Sequence, residues 1–300
     1  MIQVGIFTGY FPYSLNETAS KIRAHGFNTV QLDLEFKDMD LSTPNLNPAN
    51  AKKIRETFRD QNLPICCVSA YSNIVNPNLE KRKAILDRLK ATIRIARELG
   101  TPYVISETGT FATDSDWVHH PKNKTEEGYE ICRDIIAQLA QEAYDHGAVF
   151  LVETYVNNVI GSVDETLRLF ADVDSPGLAL LMDPTNYFED HNIDDMDNEL
   201  NRVFNALEDT ICIAHAKDVV RTVDESEKHA DIDAAESHTF RGVGKVELPA
   251  PGLGSLNYDL YLNRLSRLHP NIPIIIEHLD EPDVPRAKKF LDGKLRELGL

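Results

Sequence analysis

The chain is 300 residues long, 42% apolar and 26% charged, which suits one large core or two small ones and excludes a collagenous or disordered polymer. Its 31 Lys and Arg face 48 Asp and Glu, a net charge of −17, so its surface repels phosphate backbones and no nucleic-acid partner is expected. No run is long and apolar enough to span a bilayer, so no membrane partner is expected either.

Met1-Ile2-Gln3-Val4-Gly5-Ile6-Phe7 lacks the basic region and small-residue cleavage site of a secretory signal and reads as a first strand, Val4 to Phe7. Ser14-x-x-Glu17 then predicts a capping box at the start of a helix. A second apolar run, Thr29 to Leu34, is followed by Asn47-Pro48, a cap before a proline in the first helical turn. The third run, Pro64 to Ala70, precedes a helix from Leu79 to Leu99 that puts Ile85, Leu89, Ile93 and Ala96 on one stripe and ends at Gly100. Tyr103 to Ser106 leads to a helical stretch from Thr125 to His146 with the stripe Ile131, Ile135 and Leu139, ended by Gly147. The last four runs are Val149 to Val152, Leu178 to Met182, Ile211 to Ala214 and Ile272 to Ile276, each followed by a helical pattern: Val163 to Asp172, Asp195 to Leu207, Asn257 to Leu268 and Val284 to Leu298.

Short, fully apolar strands alternating with helices predict a parallel sheet covered on its outer face. Eight units in one chain of this length fit a single α/β domain over 1–300, a (β/α)8 TIM barrel, better than an open doubly wound sheet. After the first strand, Thr8-Gly9-Tyr10-Phe11-Pro12 matches neither a dinucleotide-binding glycine fingerprint nor a P-loop. The cysteines Cys66, Cys67, Cys132 and Cys212 have no zinc or redox spacing and read as reduced residues of a cytoplasmic protein.

Barrel enzymes place their chemistry at the carboxyl ends of the strands. The last four runs end directly in Glu153, Asp183, His215 and Glu277. An unpaired ion after an apolar run is costly to bury, and four converging on one mouth offset that cost by sharing a divalent cation. The bland alternative for any one of them is a charge marking the exit to solvent.

These strand ends, with Met182-Asp183-Pro184-Thr185-Asn186, Ala214-His215-Ala216-Lys217-Asp218 and Pro251-Gly252-Leu253-Gly254, resemble the xylose-isomerase-like superfamily over essentially the whole chain. It groups sugar isomerases, ketose 3-epimerases, inosose dehydratases and zinc-dependent AP endonucleases. The resemblance implies that Glu153, Asp183, His215 and Glu277 are the metal ligands and that both glutamates double as acid/base groups. Where members often carry Asp-x-x-His, this chain has Asn186, expected to orient Asp183 or a sugar hydroxyl. The histidines that the AP endonucleases use after strands three and four are missing, which argues for one ion and against a three-zinc cluster.

Lesser candidates are weighed against plainer roles. His25, His146 and His269 sit at helix ends, where a cation suits the dipole. Trp117, His119 and His120 lie in the loop after the fourth strand, with His119 a substrate contact if the loop is a lid. His278 follows Glu277, and strand alternation points it away from the mouth. Lys217 shares the face of His215 and either polarises a substrate oxygen or neutralises Asp183. Arg241, between Val219 and Ser255 in a polar flap bearing Asp224, Glu225, Glu227 and Lys228, is a clamp over the mouth or a surface residue. Glu107 at the fourth strand end is a candidate for binding sugar hydroxyls.

Three carboxylates and one imidazole suit one Mn²⁺ or Mg²⁺ somewhat better than Zn²⁺. The expected chemistry is proton abstraction beside a carbonyl to give an enediolate, in a sugar isomerase or epimerase acting on a small-molecule sugar or polyol. The alternatives are a metal-dependent dehydratase of an inosose-type keto-polyol and a non-catalytic sugar-binding barrel. Oligomeric state stays open, a homo-oligomer included.

Overall fold

The computed structural model describes residues 2–113, 115–222, 239–242 and 244–300, with backbone only at 239–241. Eight parallel strands close a barrel: β1 (Gln3–Phe7), β2 (Thr29–Leu32), β3 (Ile65–Ser69), β4 (Tyr103–Glu107), β5 (Val149–Glu153), β6 (Leu178–Met182), β7 (Ile211–Ala216) and, last in the chain, β11 (Pro273–Ile276), which pairs with both β7 and β1. The helices are α1 (Leu15–Ala24), α2 (Pro48–Asp60), α3 (Leu79–Leu99), α4 (Glu126–Asp145), α5 (Val163–Val173), α6 (Met196–Leu207), α7 (Tyr258–Leu268) and α8 (Val284–Leu298). This is the single (β/α)8 barrel that the alternating pattern predicts, and no described helix is long and apolar enough to cross a membrane.

Two apolar layers hold it. The larger lies between the sheet and the helices, with Phe27, Phe58, Phe150 and Phe204 fully enclosed. The smaller fills the barrel axis with Cys67, Ile105, Leu151, Leu181, Ile213 and Ile275. Side chains two residues apart share a face of a strand. The positions that follow the axial residues by two are Ser69, Glu107, Glu153, Asp183, His215 and Glu277, so the strand period delivers them to the mouth. Gly5 lets the strands close, because a Cβ there would lie 2.6 Å from the Ile275 side chain.

Most local signals act as read. Asn47 accepts from the amides of Ala49 and Asn50, and Gly100 ends α3 in the left-handed region at φ 99°. His146 and His269 sit at helix ends and bond to backbone carbonyls, Glu142 O and Glu208 O. The capping box does not form: the Ser14 side chain makes no cap bond, and Asp38 instead accepts from Leu15 N at 2.8 Å. A carboxylate brought in by the next loop does the same work more strongly than a hydroxyl.

Beyond β7, the described residues form a small antiparallel sheet of β8 (Val220–Arg221), β9 (Thr239–Arg241) and β10 (Val246–Pro249), where a solvated flap was expected. The charges Asp224, Glu225, Glu227 and Lys228 and the Arg241 side chain, expected in that flap, lie outside the described residues.

Candidate metal centre and active site

The His-x-Lys-Asp motif is one device. Its Asp218 leaves the sheet and accepts from the amides of Gly252 and Leu256, each at 2.9 Å, so it anchors the Pro251-to-Leu256 turn beside the mouth. Gly254 is required there, because a Cβ would run into Asp218 Oδ1 and the Val219 carbonyl. His215 and Lys217 lie on the inward face of β7, at the barrel mouth.

Glu153, Asp183 and His215 are buried and offer ligand atoms that all lie within 4.8 Å of one another, so this group could hold a metal ion. His215 Nδ1 lies 3.5 Å from Glu153 Oε1 and 3.4 Å from Asp183 Oδ2. Glu277, the fourth strand-end group, stands beside them: its Oε1 is 3.4 Å from the other imidazole nitrogen, Nε2. Lys217 Nζ reaches Asp183 Oδ2 at 2.5 Å and both Glu153 Oε1 and Glu277 Oε2 at 3.3 Å.

Each of these side chains is held from behind. Thr185 donates to Asp183 Oδ1 from both its amide and its hydroxyl at 2.9 Å. Asn186 donates to Glu153 Oε1 at 2.8 Å, so it orients Glu153 rather than Asp183. Tyr71 donates to Glu153 Oε2 at 2.5 Å. Gln31 Nε2 donates to Glu277 Oε1 at 2.8 Å, and Gln31 Oε1 lies 3.0 Å from His215 Nε2.

The charges differ accordingly. Burial raises carboxyl pKa values, but Lys217 and His215 outweigh it at Glu153 and Asp183, which are lowered, Asp183 strongly. At Glu277 burial prevails over His215 and Lys217, and its pKa is raised. Burial works against charge on His215, yet Glu277 and Glu153 lift it to about 10. Burial also opposes charge on Lys217, and Asp183, Glu153 and Glu277 raise it well above the usual range.

Above this group opens a cavity of about 210 Å³. Phe7, Tyr10, Tyr71, Trp117, Tyr155 and Leu248 form its apolar walls, and Glu107, Glu153, Asn186, Lys217, Glu277 and His278 its polar points. Burial, reinforced by Glu153, raises the Glu107 pKa well above its ordinary value, which favours its neutral form. Tyr155 Oη is buried without a hydrogen-bond partner among the described residues.

The structure thus brings Glu153, Asp183, His215, Glu277, Lys217, Asn186 and Glu107 together. His119 is exposed and outside the cavity wall, and His120 caps the turn that follows through Lys122 N; of that loop's three candidates, Trp117 lines the cavity. His278 corrects the expectation from strand alternation. β11 ends at Ile276, and His278 adopts φ 61°, which breaks the alternation and turns its ring into the wall, Nδ1 2.8 Å from Leu248 O. Gln31 and Tyr71 were missed, although a glutamine at the inward phase of an apolar strand was a signal.

Fold and site together define a (β/α)8 barrel with a strand-end Glu-Asp-His group that could bind metal. The family model of the xylose isomerase-like TIM barrel matches residues 19–294, and the chain belongs to that family. Among solved structures it is similar to a D-tagatose 3-epimerase-like protein, at 20% identity and a TM-score of 0.71 over 99% of this chain and 98% of that one. It is also similar to the probable 3-DHS dehydratase AsbF of Bacillus anthracis, at 16% and 0.70 over 100% and 99%. A third likeness is to a xylose isomerase-like TIM barrel protein of Mycobacterium smegmatis in complex with magnesium, at 15% and 0.67 over 99% and 96%. No curated protein matches the sequence.

Proposed function

We propose that this chain is a metal-dependent sugar isomerase or epimerase that moves a proton beside a carbonyl of a small polyol. The observation that carries the reading is the pairing of a buried Glu-Asp-His group with a second, differently tuned glutamate in one aromatic-walled cavity. Two carboxylates whose surroundings push their pKa values apart are the mark of divided acid and base roles.

Two carboxylate oxygens and one imidazole nitrogen, one each from Glu153, Asp183 and His215, would hold a divalent cation. When bound, such an ion supplies charge that acidifies the C–H between a carbonyl and its neighbouring hydroxyl. Glu277, raised in pKa and facing the cavity, takes that proton. Lys217, an ammonium in the same wall, donates to the oxygen on which charge develops. Glu153 Oε1 and Glu277 Oε2 each lie 3.3 Å from Lys217 Nζ; in an epimerase Glu153, protonated in the substrate complex, delivers its own proton to the same carbon while Glu277 keeps the one it removed. The rings of Phe7, Tyr10, Tyr71, Trp117 and Tyr155 cover the C–H faces of the sugar and exclude water. Lys217 is the one strongly cationic group in the described wall, which favours an unphosphorylated substrate.

A dehydratase reading is supported by one feature, the raised pKa of the buried Glu107 carboxyl, since a departing hydroxide needs a proton donor. Incubation of a panel of ketoses and keto-inositols in deuterium oxide with Mn²⁺ tests the proposal. Deuterium at one carbon with no loss of water identifies an isomerase or epimerase, and loss of water a dehydratase. No exchange with any member of the panel would leave a binding protein and overturn the reading.

A further inference from the structure

Gln31 is wholly buried in the middle of β2, with its amide between His215 and Glu277. A buried amide has two donors and a two-lone-pair acceptor to satisfy, and its neighbours fix which end faces which. The Glu277 carboxylate can only accept, so the 2.8 Å contact must come from the Gln31 NH₂. That leaves the Gln31 carbonyl oxygen 3.0 Å from His215 Nε2, where a carbonyl can only receive a proton. His215 therefore carries hydrogen on Nε2, and its other nitrogen, Nδ1, is the one 3.5 Å from Glu153 Oε1 and 3.4 Å from Asp183 Oδ2.

We infer that Gln31 is a positioning residue with two separable tasks: its oxygen sets the tautomer in which His215 presents Nδ1 to a metal ion, and its amide fixes the Glu277 carboxylate beside that imidazole. The inference rests on the metal-binding reading above. Partners that orient a metal-binding imidazole change metal affinity by about 10–100-fold when removed. The usual partner is a carboxylate or a backbone carbonyl, which cannot donate. A glutamine can act on the imidazole and on a neighbouring acid at once, which is the arrangement here.

The test is Mn²⁺ and Zn²⁺ binding to the full, chelator-stripped chain by titration calorimetry. Gln31→Met, which loses both tasks, should weaken binding about 10–100-fold. Gln31→Glu keeps an acceptor for Nε2 and loses the donor to Glu277, so its affinity should stay within about threefold of the parent while deuterium exchange into substrate collapses. Equal affinity of Gln31→Met and parent overturns the inference. Should Gln31→Met fail to fold, long-range ¹H–¹⁵N spectra of the zinc-loaded parent decide, with the His215 ring assigned by its loss in His215→Gln. A proton on Nε2 supports the inference and a proton on Nδ1 refutes it. Failure of the metal-binding reading looks different: the parent itself, like Asp183→Asn, would then bind neither ion.

Discussion

The Lys217 ammonium lies 2.5 Å from Asp183 Oδ2, at the centre of three buried carboxylates. With His215 protonated beside it, Lys217 helps offset two of the cluster's three negative charges, which lets so much acid stay buried in one place.

Removing Lys217 should therefore unmask that acid. Lys217→Met is expected to destabilise the chelator-treated protein by about 3–5 kcal/mol, the usual consequence of orphaning a buried charge. Divalent metal should restore more of the melting temperature in the variant than in the parent. Equal metal-induced shifts in the two proteins would assign Lys217 to substrate alone.

Glu153 and Glu277 should separate experimentally. Glu277→Gln is expected to keep a bound ion and lose about 10²–10⁴-fold in exchange rate, the range for a lost general base. Glu153→Gln should lose both ion and exchange. Elemental analysis of the purified variants alongside the exchange assay checks this, and an ion-free Glu277→Gln would make Glu277 a ligand in the first place.

Metal binding should be linked to pH through His215. Its pKa near 10 in the metal-free fold means that an ion must displace a proton at neutral pH, so affinity should rise about tenfold per pH unit from pH 6 to 9. The same shift, up from an unfolded value of about 6.5, stabilises the metal-free fold fully below that value and less as pH rises through about 10. The melting temperature of the chelated protein should fall across that window, and His215→Gln should flatten the slope. Calorimetry in buffers of different ionisation enthalpy counts the released proton; a count of zero at pH 7.5 would contradict the assignment.

Glu107 tests the acid side of the cavity. Because burial raises the Glu107 pKa and favours its neutral form, Glu107→Gln preserves size and hydrogen bonding and should leave an isomerase or epimerase within about tenfold of the parent. Glu107→Ala should cost more, through KM. A far larger loss in Glu107→Gln, confined to kcat, would mark a proton donor and shift the account towards dehydration.

Much of this was legible in the sequence because strand period and strand ends are local properties. Eight apolar runs give the barrel, and each charge one step beyond a run falls on the inward phase set by Leu151, Leu181, Ile213 and Ile275. The parts that were not legible depend on partners remote in the chain. Asp38 replaces Ser14 at the start of α1, Asn186 supports Glu153 rather than its near neighbour Asp183, and Gln31 reaches His215 and Glu277 across 184 and 246 residues. His278 was misread for another reason: a single left-handed residue cancels alternation, and a histidine gives less warning of it than a glycine would.

Anomalous diffraction at the manganese edge, from crystals of the protein loaded with Mn²⁺, tests the central claim most directly. The account predicts one peak per chain, within bonding distance of Glu153, Asp183 and His215 Nδ1, with Glu277 beside it and still bonded to Gln31. A peak held by other residues, two or more bridged ions, or no peak at all would contradict it.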